Sequence, residues 1–139
     1  MKKYKTIPAA VFAVLLLCAL VFGIYYRTMV APWLNITYNT TPYMIHLFLM
    51  APLFYWALAA LAGELLRCAG GLTLSGGVQK ACLIAGGVMT AVWLVYALLI
   101  ALRVPVPMAF GYFIIDWPQA FLIPGLALGL GLHRENKAV

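Results

Sequence analysis

The sequence predicts an all-α fold, a polytopic membrane protein whose four transmembrane helices form one compact bundle. The first observation is composition: 66% of the 139 residues are apolar, only 9% are charged, and the mean hydropathy is +1.03. A soluble domain is about one quarter charged, so too few polar residues are present to cover a surface in water. The second is that the apolar residues form four runs of about 20 residues or more, the length that crosses a bilayer. The third is that no run alternates like a strand, and a helix satisfies its own backbone hydrogen bonds in lipid.

The four runs divide the chain, taken as a single membrane domain over residues 1–139, into spans and connections. We predict spans over residues 8–26, 43–66, 81–102 and 107–132, with an outer loop at 27–42 and a cytoplasmic linker at 67–80. The first run has the basic start of a signal peptide, but no small-residue cleavage site precedes Arg27. We therefore expect this run to be retained as a helix.

The basic residues predict the orientation. Seven of the nine fall on one side of the four spans: Lys2, Lys3, Lys5, Arg67, Lys80, Arg134 and Lys137. Only Arg27 and Arg103 fall on the other side. Because basic residues collect on the cytoplasmic side, both termini and the linker are predicted to be cytoplasmic. The Met-Lys-Lys start and small size favour a bacterial cytoplasmic (inner) membrane.

The same pattern excludes several classes of function. A net charge of +6 suggests nucleic acid in a soluble protein, but here it follows from orientation, and no basic patch is interleaved with aromatic residues. The three cysteines, Cys18, Cys68 and Cys82, form no metal-binding spacing. The sequence therefore predicts no nucleic-acid partner, no metal and no cofactor.

Asp116 is the clearest ionisable residue within a span. A carboxylate near the middle of a membrane helix costs roughly 2.5–3.5 kcal/mol, so it is expected to face the bundle or a water-filled pocket. Tyr112 and Gln119 lie four residues before it and three after it, on the same face of a regular helix. Together they predict a polar stripe within the membrane that holds a proton or a cation. The alternative is a structural Asp116, paired with Arg103 or Arg27 or bonded to His46.

A second group of polar residues is expected at the outer face. His46 lies one turn into the second span, and Tyr43 precedes it by three residues. With Arg27 and Arg103 they are candidates for a ligand or pH-sensing site at the mouth of the bundle. The alternative is a hydrogen-bonded interfacial histidine. At the other end, Glu64 is expected to form a surface pair with Arg67 or Lys80.

Small residues recur at a spacing that lets membrane helices approach closely. Gly125 and Gly129 form a G-x-x-x-G pair in the fourth span. The other predicted packing residues are Ala19, Gly23, Ala59, Gly63 and Gly86.

Three functions remain open on these observations. The first is a non-catalytic accessory or regulatory subunit that works through helix–helix contacts with other membrane subunits or with itself. The second is a small homo-oligomeric transporter or channel in which Asp116 couples to a proton or cation. The third is a lipid-modifying enzyme with Asp116, His46 and Tyr43 as acid–base candidates. With no nucleophile–base pair in view, we assign no catalytic residue and favour the first.

Overall fold

The computed structural model describes residues 7–37, 40–70 and 72–132, and every regular element in them is helical. The α-helices are α1 (Ile7–Tyr25), α2 (Leu34–Thr37), α3 (Thr40–Ile45), α4 (Ala51–Cys68), α5 (Gly76–Ala101), α6 (Met108–Asp116) and α7 (Leu122–Leu132). Two wider π-helical turns, Tyr26–Val30 and His46–Met50, and two 3₁₀ turns, Ala31–Trp33 and Pro118–Phe121, join some of them. The all-α prediction is confirmed for the described residues.

Three helical segments are long and apolar enough to cross a membrane: Pro8–Trp33, Thr40–Cys68 and Gly76–Ala101. The fourth predicted span is not one continuous helix, because Met108–Asp116 and Pro118–Leu132 meet at 90°. The chain therefore has three candidate spans, or four if the bent pair counts as one.

The break in the fourth segment follows from Pro118. A proline supplies no N–H to the carbonyl four residues before it, and it disfavours helical backbone in the preceding residue. Trp117 accordingly leaves the helix at φ −130° and ψ 51°. The predicted span over residues 107–132 assumed one helix, whereas the chain turns through a right angle here.

The predicted outer loop, residues 27–42, is also mostly helical where it is described. One π-helical turn, Tyr26–Val30, lies at its start and a second, His46–Met50, follows it; each ends immediately before an Ala-Pro pair, Ala31-Pro32 and Ala51-Pro52. A proline ring crowds the carbonyl four residues earlier and cannot bond to it. A turn widened by one residue relieves this crowding and keeps the helix running. The described residues of this segment are therefore mostly helical rather than irregular, and the position of residues 27–42 outside the membrane stays a prediction.

The helices pack in the spatial order α1, α4, α7, α5. Aromatic contacts near both ends of α1 show that it runs antiparallel to α4: Phe12 meets Trp56, and Tyr26 meets His46. α7 runs parallel to α4 and antiparallel to α5, and its contacts with these two helices are the most extensive in the bundle. We call the end with residues 26–45 and 102–107 the loop end, and the end with residues 69–75 the linker end.

Glycines account for the close approach of α7. A methyl group added at Gly125 would strike the carbonyl oxygen of Trp56, and one at Gly129 would strike that of Ala60. On the facing helices, a Cβ at Gly63 would lie 3.0 Å from the carbonyl oxygen of Leu126. Gly86 is equally tight, with a Cβ 2.7 Å from the amide nitrogen of Leu128.

Of the remaining predicted packing residues, two are buried and one makes no close helix contact. Ala19 and Ala59 are buried. A Cβ added at Gly23 would meet nothing within 4 Å. The expectation that Gly23 forms a close helix contact is therefore wrong for the described part of this chain.

Candidate functional site

The loop end holds a stack of aromatic rings around His46. The imidazole lies face to face with the ring of Tyr26, with centroids 4.1 Å apart and planes 5° apart. Phe22, one helical turn before Tyr26, is nearly parallel to the same imidazole at 6.5 Å. Tyr43 contacts Tyr26 from the other side at 6.3 Å. The structure thus brings the predicted residues His46 and Tyr43 into contact with the ring of Tyr26, and His46 also contacts the ring of Phe22 on α1.

His46 is held by stacking rather than by hydrogen bonds. Its Nδ1 atom is buried and has no hydrogen-bond partner among the described residues. A polar atom left unsatisfied in this way costs about 1–3 kcal/mol. The expectation of a hydrogen-bonded interfacial histidine is therefore not met at this nitrogen.

Of the two predicted outer arginines, Arg27 lies close enough to His46 to act on it electrostatically, whereas no contact joins Arg103 to the stack among the described residues. Arg27 is exposed and directly follows Tyr26. Arg103 is exposed and adopts φ 58°, which only glycine adopts without strain. It occupies the position after the C-cap of α5, where the Arg103 and Val104 amides donate to Ile100 and Leu99. Helices commonly place glycine there.

Asp116 does not face the interior of the bundle. Asp116, Gln119 and Tyr112 are all exposed, and the break at Trp117 separates the first two onto helices that meet at 90°. Within the described chain, no ion pair or hydrogen bond joins Asp116 to Arg27, Arg103 or His46. The prediction of an inward-facing carboxylate on one continuous helical stripe was wrong, because that stripe assumed a regular helix through Pro118.

The buried carboxylate lies instead at the linker end. Glu64 is only 2% exposed and Arg67 only 4%. The thiol of Cys68 donates to Oε1 of Glu64 at 3.9 Å. On the facing helices, the side chain of Gln79 donates to the carbonyl oxygen of Gly131 at 3.2 Å.

The burial of Glu64 was not predicted, because Glu64 was expected to form a surface pair with Arg67 or Lys80. The signal was the position of Glu64 next to Gly63, on the side of α4 that contacts the α7 backbone. Because Gly63 has no side chain, the α7 backbone comes close to α4 at this point and also covers residues next to Gly63. Buried charges must be paired or hydrogen-bonded, and the Cys68 thiol is one such partner of Glu64.

Between the two ends, the middle of the bundle is filled by aromatic side chains. Trp93 is 1% exposed, and its ring packs 5.0 Å from that of Phe121. Trp56 is buried against Phe12 and donates its indole N–H to the Thr90 hydroxyl at 2.9 Å. The polar groups at the two ends are therefore separated by a packed aromatic layer.

One apolar groove opens on the surface, in the angle between α6 and α7 and alongside α5. It has a volume of about 250 Å³. Its lining is apolar throughout: Val88, Met89, Val92, Phe110, Phe113, Ala120, Phe121, Ile123 and Pro124. No acid, base or nucleophile lines it, so its chemistry suits an apolar occupant.

No three His, Cys, Asp or Glu side chains come together in residues 7–37, 40–70 and 72–132. The fold and its polar groups define the chain as an all-helical protein with three to four helices of membrane length. No family model, curated protein or solved structure matches the chain.

Proposed function

We propose that this chain is an integral membrane protein that acts through helix–helix contacts, as an accessory or regulatory subunit of a membrane complex. In this proposal it resides in a bacterial cytoplasmic membrane, with the linker end inside. The split of basic residues supports that orientation.

The observation that carries the proposal is the packed aromatic layer. Phe12, Trp56, Trp93 and Phe121 fill the middle of the bundle, with buried Glu64 on one side of them and the His46 stack on the other. Conduction needs polar groups or water along a continuous path. A bundle closed in this way favours a role in contacts over a role in conduction.

The apolar groove is the surface on which we expect a partner helix to dock. The segment Pro118–Leu132 is roughly 22 Å long, at about 1.5 Å per residue, whereas a bilayer core is about 30 Å thick. α7 therefore leaves part of α5 uncovered beside the bend. Docking between membrane helices depends on close packing, and a concave groove supplies more contact area than a convex helix face.

A second candidate is a homo-oligomeric transporter, favoured by the bend itself. A helix broken at 90° beside a carboxylate is a feature of re-entrant segments that line cavities. In this alternative, Asp116 lines a path formed between copies of the chain. An enzyme is a weaker candidate, since no hydrogen bond links Asp116, His46 and Tyr43 into an acid–base pair in the described chain.

Purification of the tagged full-length chain in a mild detergent, with mass analysis of co-purifying proteins, tests the proposal. We expect a foreign membrane subunit at a fixed stoichiometry. Val92→Trp, which fills the groove, should reduce its recovery at least tenfold. Leu98→Trp is the matched control, because Leu98 is as exposed on α5 but does not line the groove.

Asp116→Asn separates the two candidates. Because Asp116 is exposed, this variant should fold and retain the foreign subunit if the contact role is correct. Recovery of the chain with no other subunit, together with a cation flux into vesicles that Asp116→Asn abolishes, would instead establish the transporter.

A further inference from the structure

The helix α6 lies across the bundle rather than along it. Its axis is at 90° to that of Pro118–Leu132, which packs along α4 and α5. A Cβ added at Gly111 would lie 2.7 Å from the hydroxyl of Tyr96 and 3.5 Å from the ring of Phe48. The Tyr96 hydroxyl also donates to the carbonyl oxygen of Pro107, just before α6, at 2.9 Å. α6 therefore crosses the bundle at the level of Phe48 and Tyr96.

That level lies close to one edge of the hydrocarbon core. Arg67 and Lys80 flank the linker end, and basic residues at the end of a span mark the other edge. At about 1.5 Å per residue, Phe48 is roughly 28 Å from Arg67 along the segment that continues into α4, and Tyr96 is roughly 24 Å from Lys80 along α5. The core of a bilayer is about 30 Å thick. In a membrane, α6 therefore lies flat near the interface at the loop end.

The exposed residues at the end of α6 suit this interface. Tyr112 and Trp117 are both 59% exposed, and tyrosine and tryptophan are enriched where headgroups meet hydrocarbon. Asp116, one helical turn after Tyr112, is exposed as well. At the interface this carboxylate avoids the cost that it would have in the middle of the bilayer. No cation in the described part of the chain pairs with Asp116, so its carboxylate is open to a cation from outside the chain.

The apolar groove lies next to this carboxylate. Phe113 lines the groove and lies three residues before Asp116, at a neighbouring position on the helix surface. From Phe113 the groove continues along α5 toward the linker end, past Val92 to Met89 and Val88. The site therefore combines a carboxylate at the level of the headgroups with an apolar groove that extends into the hydrocarbon.

A phospholipid with an amine in its headgroup fits both parts of this site. Its ammonium group donates charge-assisted hydrogen bonds to a carboxylate, and the rings of Tyr112 and Trp117 attract the same cation. Its acyl chain matches the apolar lining of the groove. We propose that the chain binds one molecule of phosphatidylethanolamine, with the ammonium group on Asp116 and an acyl chain in the groove.

This inference rests on the membrane location given under the proposed function. It deepens the role of the groove, because a partner helix that docks there has to displace the lipid. Lipid binding itself needs no foreign subunit, so the lipid site and the accessory role can fail separately.

Native mass spectrometry of the full-length chain, purified in a detergent that removes lipid, measures its affinity for each added lipid. Phosphatidylethanolamine should bind at one molecule per chain, and about tenfold more tightly than phosphatidylglycerol with the same acyl chains, which offers no ammonium group. Asp116→Asn should weaken phosphatidylethanolamine binding about tenfold, the loss expected for a hydrogen bond between charged groups, and should abolish the preference. Asp116→Glu keeps the charge and should restore most of the affinity.

Val92→Trp fills the groove and should weaken phosphatidylethanolamine binding, whereas Leu98→Trp, at an equally exposed position outside the groove, should not. Equal affinity for the two lipids, or an affinity that Asp116→Asn leaves unchanged, would overturn the lipid site. If a foreign subunit co-purifies with a chain that shows no such preference, only the lipid site fails. If the chain prefers phosphatidylethanolamine but recovers no foreign subunit, only the accessory role fails.

Discussion

The indole of Trp93 donates a hydrogen bond to the carbonyl oxygen of Phe48 at 2.9 Å. These residues are on different helices, and the bond exists because Pro52, four residues after Phe48, has no N–H to give. The bond explains why a tryptophan with 1% exposure is tolerated in the middle of the bundle, since its polar atom is satisfied. It also ties α5 to the π-helical turn that starts at His46.

Trp93→Phe should therefore destabilise the bundle. It keeps most of the ring but leaves the Phe48 carbonyl without its indole donor, at a cost of about 1–3 kcal/mol. Trp56→Phe is the control and should cost less, because the Thr90 hydroxyl keeps its bond to the Gly86 carbonyl at 2.7 Å. Thermal unfolding of both variants in detergent measures the difference, and equal losses would show that ring packing alone matters.

The close contact between the backbones of α4 and α7 gives a second prediction. Gly129→Ala would place a methyl group against the Ala60 carbonyl oxygen, where both contacting groups are backbone and cannot rotate away. We expect a loss of about 1–3 kcal/mol, as for overpacked interiors. Gly23→Ala meets open space and should be neutral or slightly stabilising. Unfolding in a denaturing detergent distinguishes the two, and a neutral Gly129→Ala would mean that the helices are further apart than described.

His46 gives a third prediction, which separates its ring from its nitrogen atoms. His46→Phe preserves a flat ring against Tyr26 and removes the buried Nδ1 that lacks a partner. Stability should be unchanged or higher. His46→Ala should lose about 1 kcal/mol or more, because the stack is lost. Melting temperatures of the two variants decide the matter, and a His46→Phe variant as unstable as His46→Ala would indicate that the imidazole has a partner of its own.

Arg103 gives a fourth prediction, with the opposite sign. A side chain at φ 58° is strained, and a left-handed residue other than glycine costs roughly 1–2 kcal/mol. Arg103→Gly should therefore stabilise the end of α5 by about 1 kcal/mol, while Arg103→Ala keeps the strain and should show no such gain. Hydrogen exchange at the Val104 amide, which donates to Leu99, reports the change locally. Slower exchange in both variants would assign the gain to loss of the charge.

The helical class was predictable from composition, and so was the presence of helices long and apolar enough to cross a membrane. The three long helical segments followed from run length in the same way, but the first ends at Trp33 and not at residue 26, and the third begins at Gly76 and not at residue 81. The site was less predictable. His46 and Tyr43 were expected near each other because they are one turn apart, but nothing local indicated that Tyr26 would stack on them.

Asp116 and Glu64 show most clearly which parts of the structure could not be predicted from the sequence. Both are acids among apolar residues, and the sequence favoured Asp116 as the inward-facing one. In helices that are apolar on all sides, periodicity does not mark the face that meets a neighbour. Burial is then decided by the backbone: Pro118 turns the chain and leaves Asp116 exposed, while Glu64 is buried on α4, whose neighbouring Gly63 is in close contact with α7.

The sequence by itself thus determined the helical class, the membrane-length apolar helices and the places where proline interrupts regular bonding. Only the tertiary structure decided what replaced a missing bond, as the buried indole of Trp93 does at the Phe48 carbonyl. The physical reason is that a proline removes a hydrogen-bond donor locally, whereas a replacement donor comes from the helix that packs against that turn. Which helix packs there depends on close contacts elsewhere in the chain, such as those of Gly125 and Gly129 with α4.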